Sequence, residues 1–542
     1  MLIVQNNDLL QNNTTIFSVA ADVPAYPVEK EGPTLLRRSP SRGGSSSPIH
    51  NNHSDQQSSP PQQPSPPQQS LPQRKRISRT YTQRIRIQIA QFISSVLTLS
   101  ILTVICTMAF AQNAYRTLTE RGRVAHPDED DCPKEKIIPD ECYYIKRWGY
   151  EPRIYNVMTE DGYILRMYRI IAKDKKSNNG SKKLPVLLGH GLFQCGGDFL
   201  ANEDKSMAFV LADQGYDVWI GNTRAAGSFD HISLSHQDPE YWAWGLKELA
   251  IYDWPTMIDC IREETDFHKI AYIGHSQGNA MAFVGLKLRP EIAEKLSCFI
   301  ALAPAVFSGT LTNTFPLKQL IGLNKYTYSL IFGSGAFIPV MTIAQRVIHP
   351  VIFAHMAYSM FAYLFSWWDT HWLRRRKPKY FQFTPRPVSS QLISDWMEGW
   401  GKRGVLLYIS EAASSPIVSS SSSSSKTVTT PVTVPLTIFY GTDDYLVDGE
   451  RLVQTFNGYE NYGRRASPQD IPFLKATAST GTDRGGSGKS SLFPMLNLVR
   501  AYCIDGYEHM DTIFGYDNVI TTYPGVIKAL SSAHWNIDTV PS

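Results

Sequence analysis

The segment from Ile270 to Leu286 constrains the fold more than any other. A short apolar run, Ile270-Ala271-Tyr272-Ile273, breaks into Gly274-His275-Ser276-Gln277-Gly278 and resumes as Asn279-Ala280-Met281-Ala282-Phe283-Val284-Gly285-Leu286. The first piece has the length and composition of a buried strand and the last suits a helix, so the pattern predicts strand, tight turn, helix, with a serine in the turn. Glycines two residues to either side of Ser276 are what so sharp a turn needs, because a side chain at either position would strike neighbouring backbone. A helix that begins beneath the serine also directs positive potential at it, which suits a hydroxyl attacking a carbonyl.

The surrounding sequence repeats this alternation. Asn156 to Leu165 reads as two strands joined by an Asp161-Gly162 turn, Leu184 to Leu188 and Tyr216 to Ile220 read as buried strands, and about Tyr252 to Glu264 reads as a helix. Val434 to Tyr440 and Leu498 to Cys503 are later strands. Short buried strands alternating with amphipathic stretches predict a mostly parallel sheet flanked by helices, and with the serine turn they predict the α/β-hydrolase fold.

A serine hydroxyl is a weak nucleophile until a neutral imidazole takes its proton and a carboxylate holds the imidazole in place. In this fold those partners follow the serine in the order acid, then histidine, each on a loop after a late strand. Asp443, Asp444 and Asp448 compete for the acid in the loop after Tyr440, and His509 supplies the base in the loop after Cys503, with His534 in a short tail beyond it. The oxyanion needs two backbone N–H donors; Gln277, the residue after the serine, supplies one and Leu192, in His190-Gly191-Leu192, is the candidate for the other.

The N-terminal part has another character. Residues 1–86 are crowded with Ser, Pro, Gln and Asn and read as a disordered tail. Residues 87–115 are uncharged, and Ile89 to Ala111 is long and apolar enough for one transmembrane helix. Basic residues Arg74, Lys75, Arg76, Arg79, Arg84 and Arg86 precede it, against Arg116, Arg121 and Arg123 after it, so the expected arrangement is single-pass with a cytosolic N-terminus, in the endoplasmic reticulum, a lipid droplet or the plasma membrane. A net charge of +4, scattered along the chain, gives no nucleic-acid signal. Of seven cysteines no pair has C-x-x-C spacing, so no structural zinc is expected; Cys132 and Cys142 could close a disulfide loop or stay free, and Asn179 is a glycosylation sequon.

With these residues placed, the chain from about Pro139 resembles the acid lipase family, that of the gastric and lysosomal acid lipases, and in particular its membrane-anchored fungal branch of steryl ester hydrolases. The resemblance rests on Trp148-Gly149-Tyr150, Thr159 to Leu165, His190-Gly191-Leu192, Gly215 to Asn222 and Gly274 to Gly278 in that order. It implies that Asp444 is the acid, four residues before Asp448, with Asp443 as the fallback, and His509-Met510-Asp511-Thr512 matches the family's histidine block. It divides the chain into a hydrolase core over 139–306 and 401–535, and a helical cap with a lid over 307–400. That interval is apolar and aromatic, as in Val347 to Trp368 and Trp372, Trp396 and Trp400, and suits a lipid interface and an acyl tunnel. A second membrane segment at Val347 to Trp368 is the competing reading, opposed by His349-Pro350 within it.

The oxyanion loop, Phe193 to Phe199, departs from the family's small polar residues and tryptophan, and two low-complexity insertions, 414–430 and 476–491, look like surface loops. Gly488-Lys489-Ser490 is not a phosphate loop, since Asp483 stands where that motif needs its first glycine. The combined expectation is a membrane-anchored serine hydrolase of lipid esters, steryl esters first and triacylglycerols as the alternative, with no cofactor or metal and with a membrane or lipid-droplet surface as its partner. A non-catalytic, membrane-tethered lipid-binding protein is the alternative of another class.

Overall fold

The computed structural model describes residues 79–119, 135–172, 183–400, 404–405, 408, 432–456 and 488–533. Cys132, the Asn179 sequon, the 414–430 insertion, most of 476–491 and His534 lie outside them, as does most of the expected tail.

Nine strands among the described residues form one sheet: β1 Tyr150–Met158, β2 Ile164–Ala172, β3 Pro185–Gly189, β4 Asp217–Gly221, β5 Ile270–His275, β6 Leu296–Leu302, β7 Val434–Gly441, β8 Gly488–Lys489 and β9 Leu496–Ile504. Their order is β1-β2-β4-β3-β5-β6-β7-β9-β8, parallel from β4 to β9 and antiparallel at both margins. Each residue of β3, β4, β5 and β6 is buried, which is why these strands are continuous apolar runs and not alternating ones: both faces are covered. At the edge, β1 alternates between exposed and buried positions.

Nine helices matter to the site: α1 Tyr81–Thr119, α2 Trp254–Thr265, α3 Gln277–Leu288, α4 Lys325–Phe332, α5 Pro339–Val347, α6 Pro350–Phe365, α7 Lys377–Phe383, α8 Ser390–Trp400 and α9 Tyr523–Ser531. The group α4 to α8 enters between β6 and β7, where the connection is long enough to build a layer of its own over the C-terminal ends of the strands. Those ends carry Ser276, Asp444 and His509, so the inserted helices cover the site.

Three local expectations are corrected. The apolar helix runs beyond 87–115 into its charged flanks, where Arg84 and Arg86 stay helical and exposed and the Arg116 guanidinium lies over the Trp368 ring. The helix expected from Tyr252 begins at Trp254, after a wider π turn over Leu249–Asp253. The end of the 476–491 insertion is not loop: Gly488–Lys489 pairs antiparallel with Leu498 and Asn497 of β9, closing the edge of the sheet. The apolar stretch Val347 to Trp368 forms α6, 16 residues broken from α5 at His349-Pro350, with Phe353, Ala357, Tyr358 and Phe361 buried against neighbouring helices. Among the described residues α1 is the one helix long and apolar enough to cross a membrane.

Candidate active site

β5 ends in the turn the sequence predicted, and Ser276 sits there with φ 51° and ψ −115°, a left-handed conformation that a non-glycine residue adopts only when its surroundings enforce it. The glycines explain how the turn closes. A Cβ on Gly278 would lie 2.6 Å from the Gly189 carbonyl oxygen and 2.9 Å from that of His190, both backbone atoms that cannot yield. A Cβ on Gly274 would run into the Asn279 side chain, whose Nδ2 donates to the Leu302 carbonyl at 2.7 Å and ties the turn to β6.

Ser276 Oγ lies 2.8 Å from His509 Nε2, and His509 Nδ1 lies 2.8 Å from Asp444 Oδ2. Since Nδ1 faces a carboxylate it carries the ring proton, which leaves Nε2 as the acceptor for the serine hydroxyl. The second Asp444 oxygen accepts from the N–H groups of Leu446 and Val447, both at 3.1 Å, so the loop after β7 fixes the carboxylate before it meets the ring. His509 and the Asp444 side chain are each 2% exposed, and that burial keeps water from competing for their hydrogen bond.

The other two aspartates of that loop go elsewhere. Asp443 is exposed, and Thr442 Oγ1 donates to its Oδ1 at 3.1 Å; Asp448 caps a short helix by accepting from Arg451 N–H at 2.8 Å. The loop after β3 comes against the serine from the other side: a Cβ on Gly191 would lie 2.9 Å from Ser276 Cβ, and Leu192 lines the same pocket as Ser276 and His509. Gln277 opens α3, directly below the serine.

Several contacts at this site carry no obvious sequence signal. Trp367, between α6 and α7, stacks on His509 with ring centroids 5.5 Å apart and planes 13° from parallel. Trp396 Nε1 donates to Gln277 Oε1 at 2.8 Å, so α8 grips the residue after the serine. Gln194 Oε1 accepts from Gly191 N–H at 2.6 Å and lies 2.8 Å from His275 Nδ1, while His275 Nε2 donates to the His509 carbonyl at 3.1 Å. Complete burial pushes the His275 pKa well below the usual imidazole value, so the ring is neutral and its single proton lies on Nε2, facing the His509 carbonyl. A G-x-S-x-G reading treats the residue before the serine as free; here its ring donates to the histidine loop and packs beside Gln194 of the oxyanion loop.

Known proteins are similar to this chain over its hydrolase part. Residues 142–203 match the model of a partial α/β-hydrolase lipase region, and residues 185–329 match that of the α/β-hydrolase fold. Gastric triacylglycerol lipase of Mus musculus is 34% identical over 397 residues, 71% of this chain and 90% of that lipase. Lipase member K of Homo sapiens is 32% identical over 360 residues, 60% of this chain and 87% of its own length. Sterol esterase 2 of Saccharomyces cerevisiae is 30% identical over 355 residues, 60% of this chain and 65% of that esterase. The chain therefore belongs to the acid lipase family of α/β-hydrolases, and its class of chemistry is carboxylic ester hydrolysis.

Proposed function

We propose that the chain hydrolyses steryl esters through an acyl-enzyme on Ser276. The observation that carries the mechanism is the unbroken relay from Asp444 through His509 to Ser276, with both hydrogen bonds at 2.8 Å. His509 takes the serine proton as Oγ attacks the ester carbonyl, the N–H groups of Leu192 and Gln277 receive the oxyanion, and His509 returns the proton to the departing alcohol. Water then enters by the same route in reverse and frees the acid. Asp444 keeps Nδ1 protonated throughout and stabilises the imidazolium between the steps.

The substrate reading draws on the likeness to a sterol esterase and on the long apolar helix α1, which would hold the enzyme at a membrane or lipid-droplet surface. Triacylglycerol is the second reading, favoured by the match that spans 90% of a gastric triacylglycerol lipase. Purified full-length protein assayed side by side on cholesteryl oleate and triolein decides between them; faster turnover of triolein would reject the first. A fluorophosphonate probe tests the mechanism beneath both: labelling of the native chain and none of Ser276→Ala is expected, and equal labelling of the two would remove the enzyme reading in favour of a lipid-binding protein.

The sequence expectation of a cytosolic N-terminus with the hydrolase across the bilayer requires α1 to leave the globular body. Yet both its ends touch that body: Arg79 Nη1 lies 2.8 Å from Asp238 Oδ1, and the Arg116 guanidinium sits 3.5 Å over the Trp368 ring. We favour a helix that stays docked and embeds with the cap in one lipid face. Protease protection with tags at both termini tests this: tags on the same side support docking, tags on opposite sides support a crossing.

A further inference from the structure

α1 does not lie on the cap by its ends alone. Thr98 Oγ1 donates to the Ile331 carbonyl at 2.6 Å in α4, Cys106 Sγ lies 3.3 Å from Met360 Sδ in α6, and Asn113 Nδ2 donates to Ser359 Oγ at 3.1 Å. These contacts span roughly a 23 Å length of helix at 1.5 Å per residue. Phe92, Val96 and Leu99, on the side away from the cap, remain exposed.

Between α1 and the cap lies a chamber with about 850 Å³ of empty space, its open mouth included, within the size range of sites that take whole small apolar ligands. α1 lends it Thr98, Ile101, Leu102 and Ile105, a spacing of three, four and seven residues that places all four on one helix face. Its other walls are apolar side chains of the cap and of the loop after β3. Thr98 is the one lining residue with a hydroxyl, and that hydroxyl is spent on Ile331. A chamber of this lining offers water no partners and favours a hydrocarbon occupant.

It also shares walls with the catalytic pocket. Leu192, Phe193, Phe365 and Trp396 line both spaces. The side of entry identifies which part of an ester belongs there. The leaving oxygen must lie at His509 Nε2, which is to take it a proton; the acyl chain extends from the carbonyl whose oxygen faces Leu192 and Gln277. The chamber touches Leu192 and the Gln277-bound Trp396, and it does not touch His509 or Trp367.

We propose that α1 is part of the substrate site: its Thr98, Ile101, Leu102 and Ile105 face closes a chamber that holds the acyl chain, admitted from the lipid layer between α1 and the cap. The helix that attaches the enzyme to lipid is then also the wall that measures the chain. This rests on the reading of Ser276 as the nucleophile, and the experiment separates the two. Full-length protein in detergent micelles is treated with a long-chain alkyl fluorophosphonate bearing a terminal diazirine, irradiated and digested. Phosphonylated Ser276 with the photolabel on the α1 peptide containing Ile101 is the expected result. Phosphonylated Ser276 with the photolabel confined to cap and core peptides overturns the inference, whereas absence of phosphonylation at Ser276 overturns the mechanism beneath it. A kinetic measurement adds a second route to failure. The ratio of kcat/KM on p-nitrophenyl palmitate to that on the butyrate should fall about tenfold or more in Ile101→Trp, which fills the chamber, and stay within about twofold in Leu99→Trp on the outer face. Equal ratios in the two variants and the native chain would overturn the role of α1.

Discussion

The ends of the strands and the apolar layer above them are held by different forces. Around Ser276 the contacts are directional and closely fitted: Asp444 between two N–H groups and a ring, His275 against the His509 carbonyl, Gly278 against two carbonyls. Around the chamber the contacts are apolar side chains from α1, the cap and one loop, with the Thr98 bond and the Trp396 grip as the polar exceptions. Directional bonds fail when one atom changes, while apolar packing responds to volume and tolerates exchange. Under the proposed mechanism, chemistry belongs to the first region and substrate choice to the second.

The sharpest break in that comparison is at the relay. Ser276→Ala and His509→Ala should each lower kcat on a water-soluble short-chain ester by about 10⁴-fold or more, and Asp444→Asn by a similar order through the wrong ring tautomer, measured by steady-state kinetics. Asp443→Asn, at an exposed carboxylate that does not meet the ring, should stay within about threefold. A large loss in Asp443→Asn with little in Asp444→Asn would reverse the assignment.

Next in size is the steric limit at the turn. Gly278→Ala places a methyl 2.6 Å from one backbone oxygen and 2.9 Å from another, so strand and helix must separate. Destabilisation of about 1–3 kcal/mol is expected, read by denaturant or thermal unfolding, with activity lost as well.

The first region was legible because its demands are local and directional. Gly274-His275-Ser276-Gln277-Gly278 dictates a strand, a turn and a helix within a few residues, and acid and base follow in fixed order after recognisable strands. Among three neighbouring aspartates, however, spacing alone could not choose; the choice depends on which side chain the loop turns inward, and family resemblance pointed to Asp444, the one that meets the ring. The second region was legible only in composition. That Val347 to Trp368 is apolar says nothing about whether it meets lipid, core or another helix, and that Ile101 would face Met360 and Phe361 across a chamber depends on tertiary packing absent from any short window. Trp367 was unreadable for the same reason: its stack on His509 joins the insertion between β6 and β7 to the loop after β9.

A seam between the two regions gives a pH test. Asp198, near the end of the oxyanion loop, is completely buried; Thr384 Oγ1, just beyond α7, donates to its Oδ2 at 2.8 Å, and its other oxygen has no partner. Burial pushes its pKa up to about 8, well above the ordinary carboxylate value, so the folded chain binds a proton there that the unfolded chain has released. The contribution is fully present below about pH 4 and is lost as pH rises towards 8, with a slope of at most about 1.4 kcal/mol per pH unit. Asp198→Asn keeps the shape and removes the proton. The stability of the native chain relative to this variant should decline steadily between those limits in paired melts; a constant difference would mean that Asp198 is ionised in the fold and that the seam is held by charge.

The smallest effect should come from exchange inside the chamber, and its smallness is informative. Met341 and Met360 both line it, and leucine has nearly the same volume with one fewer flexible bond. Met341→Leu should cost less than about 1.5 kcal/mol in thermal unfolding, because volume is kept and no polar atom is exposed. It should also leave hydrolysis of a short-chain ester unchanged within about twofold, since Met341 lines the chamber and not the pocket around Ser276. Any change should appear in the preference among long chains, where the shape of the wall is what the substrate meets. If Met341→Leu instead reduced turnover of short and long esters alike, the apolar layer would be coupled rigidly to the relay, and the division between a region that reacts and a region that selects would not hold.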